Sequence, residues 1–127
     1  MYLLDTHVLV WAASEPGKLG AQTQKLLSKS RDLLFSPLSI AELKIKEETG
    51  RIKTTPRFYL GLANTQISEY PYLLRHGLEA ARFPWLRNHD PVDRMLLSQA
   101  SADDLIFITA DETLLALDLP WILDARL

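Results

Sequence analysis

Short apolar runs alternate with amphipathic segments along this chain, and the alternation predicts strands separated by helices in a parallel α/β arrangement. Tyr2–Leu4 reads as the first strand, followed by a helix from Thr6 to about Ala13. SEPGKLG reads as a loop, Ala21–Ser30 as a polar-faced helix and Leu33–Phe35 as the second strand. Ser39–Thr49 has helical patterning that stops at Gly50, with Lys46 near the C-terminal turn where the helix dipole favours a cation. Thr55-Pro56 offers an N-cap and a first-turn proline for a helix reaching about Asn64. Gln66–Tyr70 then reads as a strand, Leu73–Arg82 as a helix halted before Pro84, and Asp90-Pro91 as the start of a helix to about Ala102. Leu105–Ile108 is the most strand-like run, Thr113–Ala116 a short helix, and Leu119–Leu123 an edge strand, because Pro120 is disfavoured in a central one. No repeat, low-complexity tract or linker interrupts the pattern, which predicts one domain.

Acidic residues fall where predicted strands give way to helices: Asp5 in YLLDTHVLVWA, Glu42 in SPLSIAELKIK, Asp93 in HDPVDRMLLSQA and Asp111 in LIFITADETLLAL. In an α/β fold the carboxyl ends of parallel strands share one edge, where ligands bind. Each acid has a structural explanation of its own. Asp5 can N-cap the first helix. Ser39 and Glu42 have the S-x-x-E spacing of a capping box, as do Thr109 and Glu112 in T-x-x-E form, which leaves Asp111 in a first helical turn. Asp90 is a good N-cap ahead of Pro91, with Asp93 three residues on to close a box. Caps explain single helix starts but not convergence. Two carboxylates ~5 Å apart repel by roughly 3 kcal/mol at an effective dielectric near 20, so a group of them either takes up protons or binds a cation.

Composition narrows the chemistry. The 127 residues contain no cysteine, which excludes disulfides, zinc–thiolate sites and a Cys nucleophile. Oxygen ligands without thiolates suit Mg²⁺ or Mn²⁺. Such an ion activates water for phosphodiester cleavage, and no Ser/His/Asp arrangement stands out to suggest a protein nucleophile instead. The net charge of -2 argues against holding nucleic acid by broad electrostatics, yet a bound metal turns an acidic pocket into a phosphate site. Asp5 and His7 interrupt the first apolar stretch, and no run reaches the ~18 residues of a membrane span, so the expectation is a cytoplasmic protein without a membrane partner.

At these residues the chain resembles the PIN-domain ribonucleases, and within them the VapC-type toxins of bacterial toxin–antitoxin pairs. LLDTHVLVWA is similar to the family's opening strand and helix, SPLSIAELKIK to its second acidic segment and ITADETLL to its last acidic turn. HDPVDRMLLSQA resembles a motif that usually reads D-P-F-D-R, with Val92 here in place of the commoner Phe. The resemblance spans nearly the whole chain and implies a metal-dependent endoribonuclease on a Rossmann-like parallel β-sheet flanked by helices. It implies Asp5, Glu42 and Asp93 as the main metal-binding acids and Asp111 as the fourth, direct or through water. Thr6 would sit beside Asp5, and Thr109 would position the Asp111 turn. Asp90 reads as a cap or a supporting group behind Asp93. The resemblance further implies a cognate antitoxin that wraps the toxin and blocks its site, an RNA substrate, and a homodimer.

Other residues divide between functional and structural readings. Arg94 can bind phosphate or pair with a neighbouring carboxylate. His7 and His89 adjoin the acids but lack a ligand spacing, so the reading leaves them outside the metal set. Lys44, Lys46, Arg51 and Lys53, interleaved with Glu47 and Glu48, read first as a solvated face and second as an RNA-backbone contact. Trp11, Trp85 and Trp121 lie too far apart to suggest a stacking platform and read as core or interface. Phe58–Leu62 and Tyr70–Leu74 are candidate interface segments, with core burial the competing reading. Two rival functions stand beside the nuclease. An aspartyl-phosphate enzyme is disfavoured because Asp5-Thr6-His7 lacks a second acid for D-x-D and no late Lys-Pro follows. A non-catalytic RNA-binding or assembly module is disfavoured by the intact set of acids.

Overall fold

The computed structural model describes residues 1–53 and 55–127. Five short strands, β1 (Tyr2–Leu4), β2 (Leu33–Phe35), β3 (Ile67–Glu69), β4 (Ile106–Thr109) and β5 (Ile122–Asp124), form one parallel sheet in the order β3-β2-β1-β4-β5. The chain steps outward from β1 to β3, then returns to the far side of β1 for β4 and β5. Strand order therefore reverses between β1 and β4, and the crevice at the carboxyl ends of those two strands is where an open α/β sheet places its ligand.

Period-two alternation divides the core between the two faces of the sheet. Leu3, Leu34 and Phe107 point to one face and pack with Leu96, Leu97, Ala100 and Leu114. Leu4, Leu33 and Ile108 point to the other and pack with Val8, Leu9, Leu43 and Phe58. The helices supplying the first face are α6 (Pro91–Ala102) and α7 (Glu112–Leu115), with α5 (Leu74–Glu79) packed against α6. Those on the second face are α1 (Thr6–Ser14), α2 (Ala21–Lys29), α3 (Pro37–Glu48) and α4 (Pro56–Asn64). Both faces of the central strands are covered, which is why β1, β2 and β4 are almost wholly apolar rather than alternating. No helix among the described residues is long and apolar enough to cross a membrane.

The elements follow the sequence reading with instructive shifts. Helix α3 begins at Pro37, two residues earlier than expected, because Ser36 is its N-cap: Ser36 Oγ accepts the Leu38 N–H at 3.2 Å. The expected Ser39–Glu42 capping box does not form, since both residues lie inside a helix already capped. The segment expected as a helix to Arg82 is α5 followed by a 3-10 turn at Ala80–Arg82, and SEPGKLG contains another at Pro16–Lys18. The last strand is the expected edge, three residues later than Leu119, with Pro120 left outside its ladder.

Gly61 sits where α4 crosses α1, and a Cβ there would fall on the backbone carbonyl of Ala13. Gly61→Ala is expected to lower stability by about 1–3 kcal/mol in denaturant titration, as overpacking does. Helix propensity alone would raise it by about 1 kcal/mol, so a more stable variant would refute this close crossing.

Candidate metal centre

Four elements deliver acids to one cavity of 380 Å³ at the β1/β4 crevice. Asp5 leaves β1 and caps α1, its Oδ1 accepting the Thr6 N–H at 2.8 Å. Its Oδ2 accepts the Thr109 hydroxyl at 2.6 Å, and the same Thr109 oxygen accepts the Asp111 N–H at 3.0 Å. Thr109 thereby ties the ends of the two central strands together. Thr6, beside Asp5 as expected, is buried and donates its hydroxyl to Ser39 Oγ at 2.9 Å, joining α1 to α3.

Glu42 projects from the middle of α3 and is only 6% exposed. Its Oε2 pairs with Lys46 Nζ at 2.8 Å, while its buried Oε1 meets no hydrogen-bond donor among the described residues. With Ser36 serving as the cap, no local helix-start role accounts for a carboxylate at this position.

Asp90 N-caps α6, its Oδ1 accepting the Val92 N–H at 2.9 Å, and it also lines the cavity. Asp93 closes no capping box. Its Oδ2 lies 2.8 Å from His89 Nε2 instead. Asp111 is the N-cap of α7 rather than a first-turn residue, with Oδ1 accepting the Leu114 N–H at 3.0 Å. Its free Oδ2 stands 3.7 Å from the same His89 nitrogen. The expected T-x-x-E box at Thr109 is thus absent, and Glu112 turns outward to Arg126.

The electrostatics follow from this crowding. Burial, above all, pushes the Asp93 carboxyl up to about 7, with the charges of Asp5 and Asp90 adding to it and the His89 contact opposing. Asp5 is also raised, chiefly by burial and further by Glu42, against the lowering effect of its bonds to Thr109 and Thr6. Partial burial pulls Lys46 down, but its bond to Glu42 and the charges of Glu42, Asp90 and Asp93 outweigh that and hold its ammonium above the usual range.

A divalent ion fits these residues on two grounds. A buried carboxylate oxygen lacks a donor among the described residues, and a second carboxylate is held far above its ordinary pKa by burial and then by its neighbours. Ligand atoms of His89, Asp93 and Asp111 already lie within 4.8 Å of one another, and Asp5 and Glu42 line the same cavity. An imidazole N–H and a cation would compete for the same carboxylate lone pairs.

The PIN domain family matches residues 2–119 of the sequence. The chain belongs to the PIN domain family. This PIN domain is also similar in structure to a chain of VapBC2 from Rickettsia felis bound to promoter DNA, with TM-score 0.68 and 16% identity over 97% of this chain and 96% of that one. A toxin–antitoxin complex from Klebsiella pneumoniae gives 0.65 and 15% over 97% and 96%, and FitAcB from Neisseria gonorrhoeae gives 0.60 and 16% over 97% and 96%. At such identities the likeness speaks for the fold. No curated protein matches this chain in sequence.

Sequence reasoning left four contributors to this cavity out of the site. His89 contacts two of the acids, and Lys46 is the ion-pair partner of Glu42 rather than part of a solvated face. Lys46 lies four residues from Glu42 on the same face of α3, whereas His89 precedes the cap of α6 and reaches Asp93 and Asp111 from outside that helix. His7 and Trp11 line the cavity from α1. Arg94 donates its Nε and Nη2 to the Ala80 carbonyl at 3.1 and 2.8 Å, fastening α6 to the preceding 3-10 turn.

Thr109 offers a test of this geometry that spares the acids. Thr109→Val keeps the shape but removes the hydroxyl shared by Asp5 and Asp111, and divalent-ion affinity is expected to fall about 10–100-fold by calorimetric titration. Unchanged affinity would mean that the Asp5–Thr109–Asp111 chain does not position the ligands.

Proposed function

We propose that this PIN domain is a Mg²⁺- or Mn²⁺-dependent endoribonuclease, the VapC-type toxin of a toxin–antitoxin pair. The observation that carries the reading is the convergence of Asp5, Glu42, Asp93 and Asp111 on one cavity, with a buried Glu42 oxygen lacking a donor and an Asp93 carboxyl pushed to about 7. These four carboxylates would hold the ion. When bound, it supplies Lewis acidity and an activated water for hydrolysis of the phosphodiester.

The chain's own groups set the stage for that chemistry. Thr109 fixes the orientation of Asp5, and Asp90, capping α6, starts the helix that presents Asp93. His89 Nε2 lies 2.8 Å from Asp93 Oδ2, which places an imidazole at the rim of the cavity. Lys46 offsets the charge of Glu42 on one side, leaving the other oxygen for the ion. Among the described residues lining the cavity, none is arranged as a covalent nucleophile.

The complexes of known structure that share this fold include VapBC and toxin–antitoxin assemblies, and that likeness supports a cognate antitoxin as partner. We propose the cytoplasm, where RNA and such a partner meet, as the place of action, and a homodimer as the assembled form. Leu73 and Leu74, 44% and 81% exposed, and Leu60, 64% exposed, offer apolar surface for these contacts, whereas Phe58 is core.

The test is incubation of purified protein with tRNA, rRNA and mRNA in Mn²⁺ or Mg²⁺ and in EDTA. Internal cuts that require the ion are expected. RNA left intact in every combination would favour a non-catalytic binding or assembly module.

A further inference from the structure

The acid cavity does not end at α1. A second cavity of 270 Å³ lies between α1 and the segment leading into α4, and the two share His7 and Trp11 as a common wall. His7 is exposed and Trp11 half-buried, with ring centroids 6.3 Å apart and planes inclined by 48°. Ile52 and Phe58 make the floor apolar. Of the two cations lining it, Lys18 is paired with Glu15 at 2.9 Å, while Lys53 is exposed and has no acidic partner among the described residues. One cavity thus gathers carboxylates, and its neighbour gathers aromatic faces and a spare ammonium.

That second combination is the complement of a nucleotide. Aromatic rings take the face of a base without regard to its identity, and a lysine takes a phosphate oxygen. The inclined rings leave one face to stack upon rather than a slot to fill. Continuity through His7 and Trp11 sets the direction: a strand with one phosphate over the acids reaches this cavity with its adjoining nucleotide.

We propose that the cavity between α1 and α4 binds the nucleotide adjoining the cleaved phosphodiester, its base against Trp11 and His7 and its phosphate at Lys53. This rests on the nuclease reading of the acid cavity. It makes Trp11, His7 and Lys53 positioning residues, outside the acid set, for a single-stranded segment of RNA.

Binding tests it separately from cleavage. The probe is a short single-stranded RNA with a terminal fluorophore, titrated by anisotropy in Ca²⁺, with thermal melts confirming that each variant is folded. Trp11→Ala and His7→Ala are each expected to weaken binding about tenfold, with Trp11→Phe retaining most of the affinity. Lys53→Ala should flatten the slope of log Kd against log salt by about 0.7, the share of one single-strand phosphate contact. In Mn²⁺ the same variants should raise KM and leave kcat within a few-fold. Should Trp11→Ala fail to fold, exposed His7 and Lys53 carry the test alone. Affinity and salt slope unchanged in the folded variants would overturn the proposal and leave the groove to a protein segment. If wild type binds with these contrasts but cuts no RNA, the binding surface stands and the nuclease reading falls.

Discussion

Replacing Asp93 by asparagine is expected to abolish RNA cleavage while making the metal-free protein more resistant to heat. The two effects share a cause. Asp93 is held near pKa 7 by burial and by the carboxylates of Asp5 and Asp90, so above that pH its charge is carried against the preference of the folded state. Asparagine removes the charge and keeps an oxygen for His89. Native stability near pH 8 should rise by on the order of 1 kcal/mol, a figure reduced from the bare shift because the group is partly exposed. Cleavage should fall by about a thousandfold, since losing a carboxylate ligand forfeits several kcal/mol of transition-state stabilisation at about 1.4 kcal/mol per tenfold. Asp5→Asn should match it in activity but not in stability, because that side chain also receives the Thr6 N–H and the Thr109 hydroxyl. Initial rates on a susceptible RNA and calorimetric melts check both halves. Wild-type rates in Asp93→Asn would remove the metal centre from the chemistry.

Part of this site was legible before the fold was known, because β1 and β4 are continuous apolar runs that Asp5 and Asp111 follow closely, whereas Glu42 and Asp93 reach the crevice from inside α3 and α6. What misled was chemistry that serves two purposes. Ser39 and Glu42 have cap spacing, yet Ser36-Pro37 is the stronger start signal, and once Ser36 caps α3 the box has no helix terminus to serve. Its loss strengthens the functional reading of Glu42, now a buried mid-helix acid with one oxygen unpartnered. Asp111 shows the converse: it is a cap and still presents a second oxygen to the cavity. The Lys46–Glu42 pair is a local i,i+4 spacing on α3 that reads as a solvated face, whereas the approach of His89 to Asp111 needed separate elements to meet at the crevice, which local patterning does not encode. Trp11 was set aside for its sequence distance from the other tryptophans, but its partner is His7, one turn away on α1. Trp85 and Trp121 do meet through Phe83, edge-on to both, on the opposite face of the sheet from Trp11.

Millimolar Mn²⁺ is expected to raise the melting temperature by about 10 °C at pH 8 and by little at pH 4.5. An ion at about 100 times its Kd stabilises the native state by about 2.7 kcal/mol, which for a chain of this size is worth several degrees per kcal/mol. The pH dependence comes from the acids. Asp93 has a folded pKa of about 7 against an ordinary 3.8, and Asp5 is displaced in the same direction. Between about pH 4 and 7 the folded chain therefore holds protons that the unfolded chain has released. Its metal-free stability is fully present below pH 4 and declines as pH rises through that window. A divalent ion takes the place of those protons, so its benefit grows over the same interval in which they are lost. Melts of the metal-free protein should accordingly fall from pH 4.5 to 8 in this group's contribution, and melts with Mn²⁺ should recover the difference. Asp93→Asn separates this from general acid effects, because it should flatten the metal-free profile and shrink the Mn²⁺ increment together. A Mn²⁺ increment that is absent at pH 8, or equal at both pH values, would show that the carboxylates are satisfied by Lys46 and His89 and that the cavity is not a metal centre.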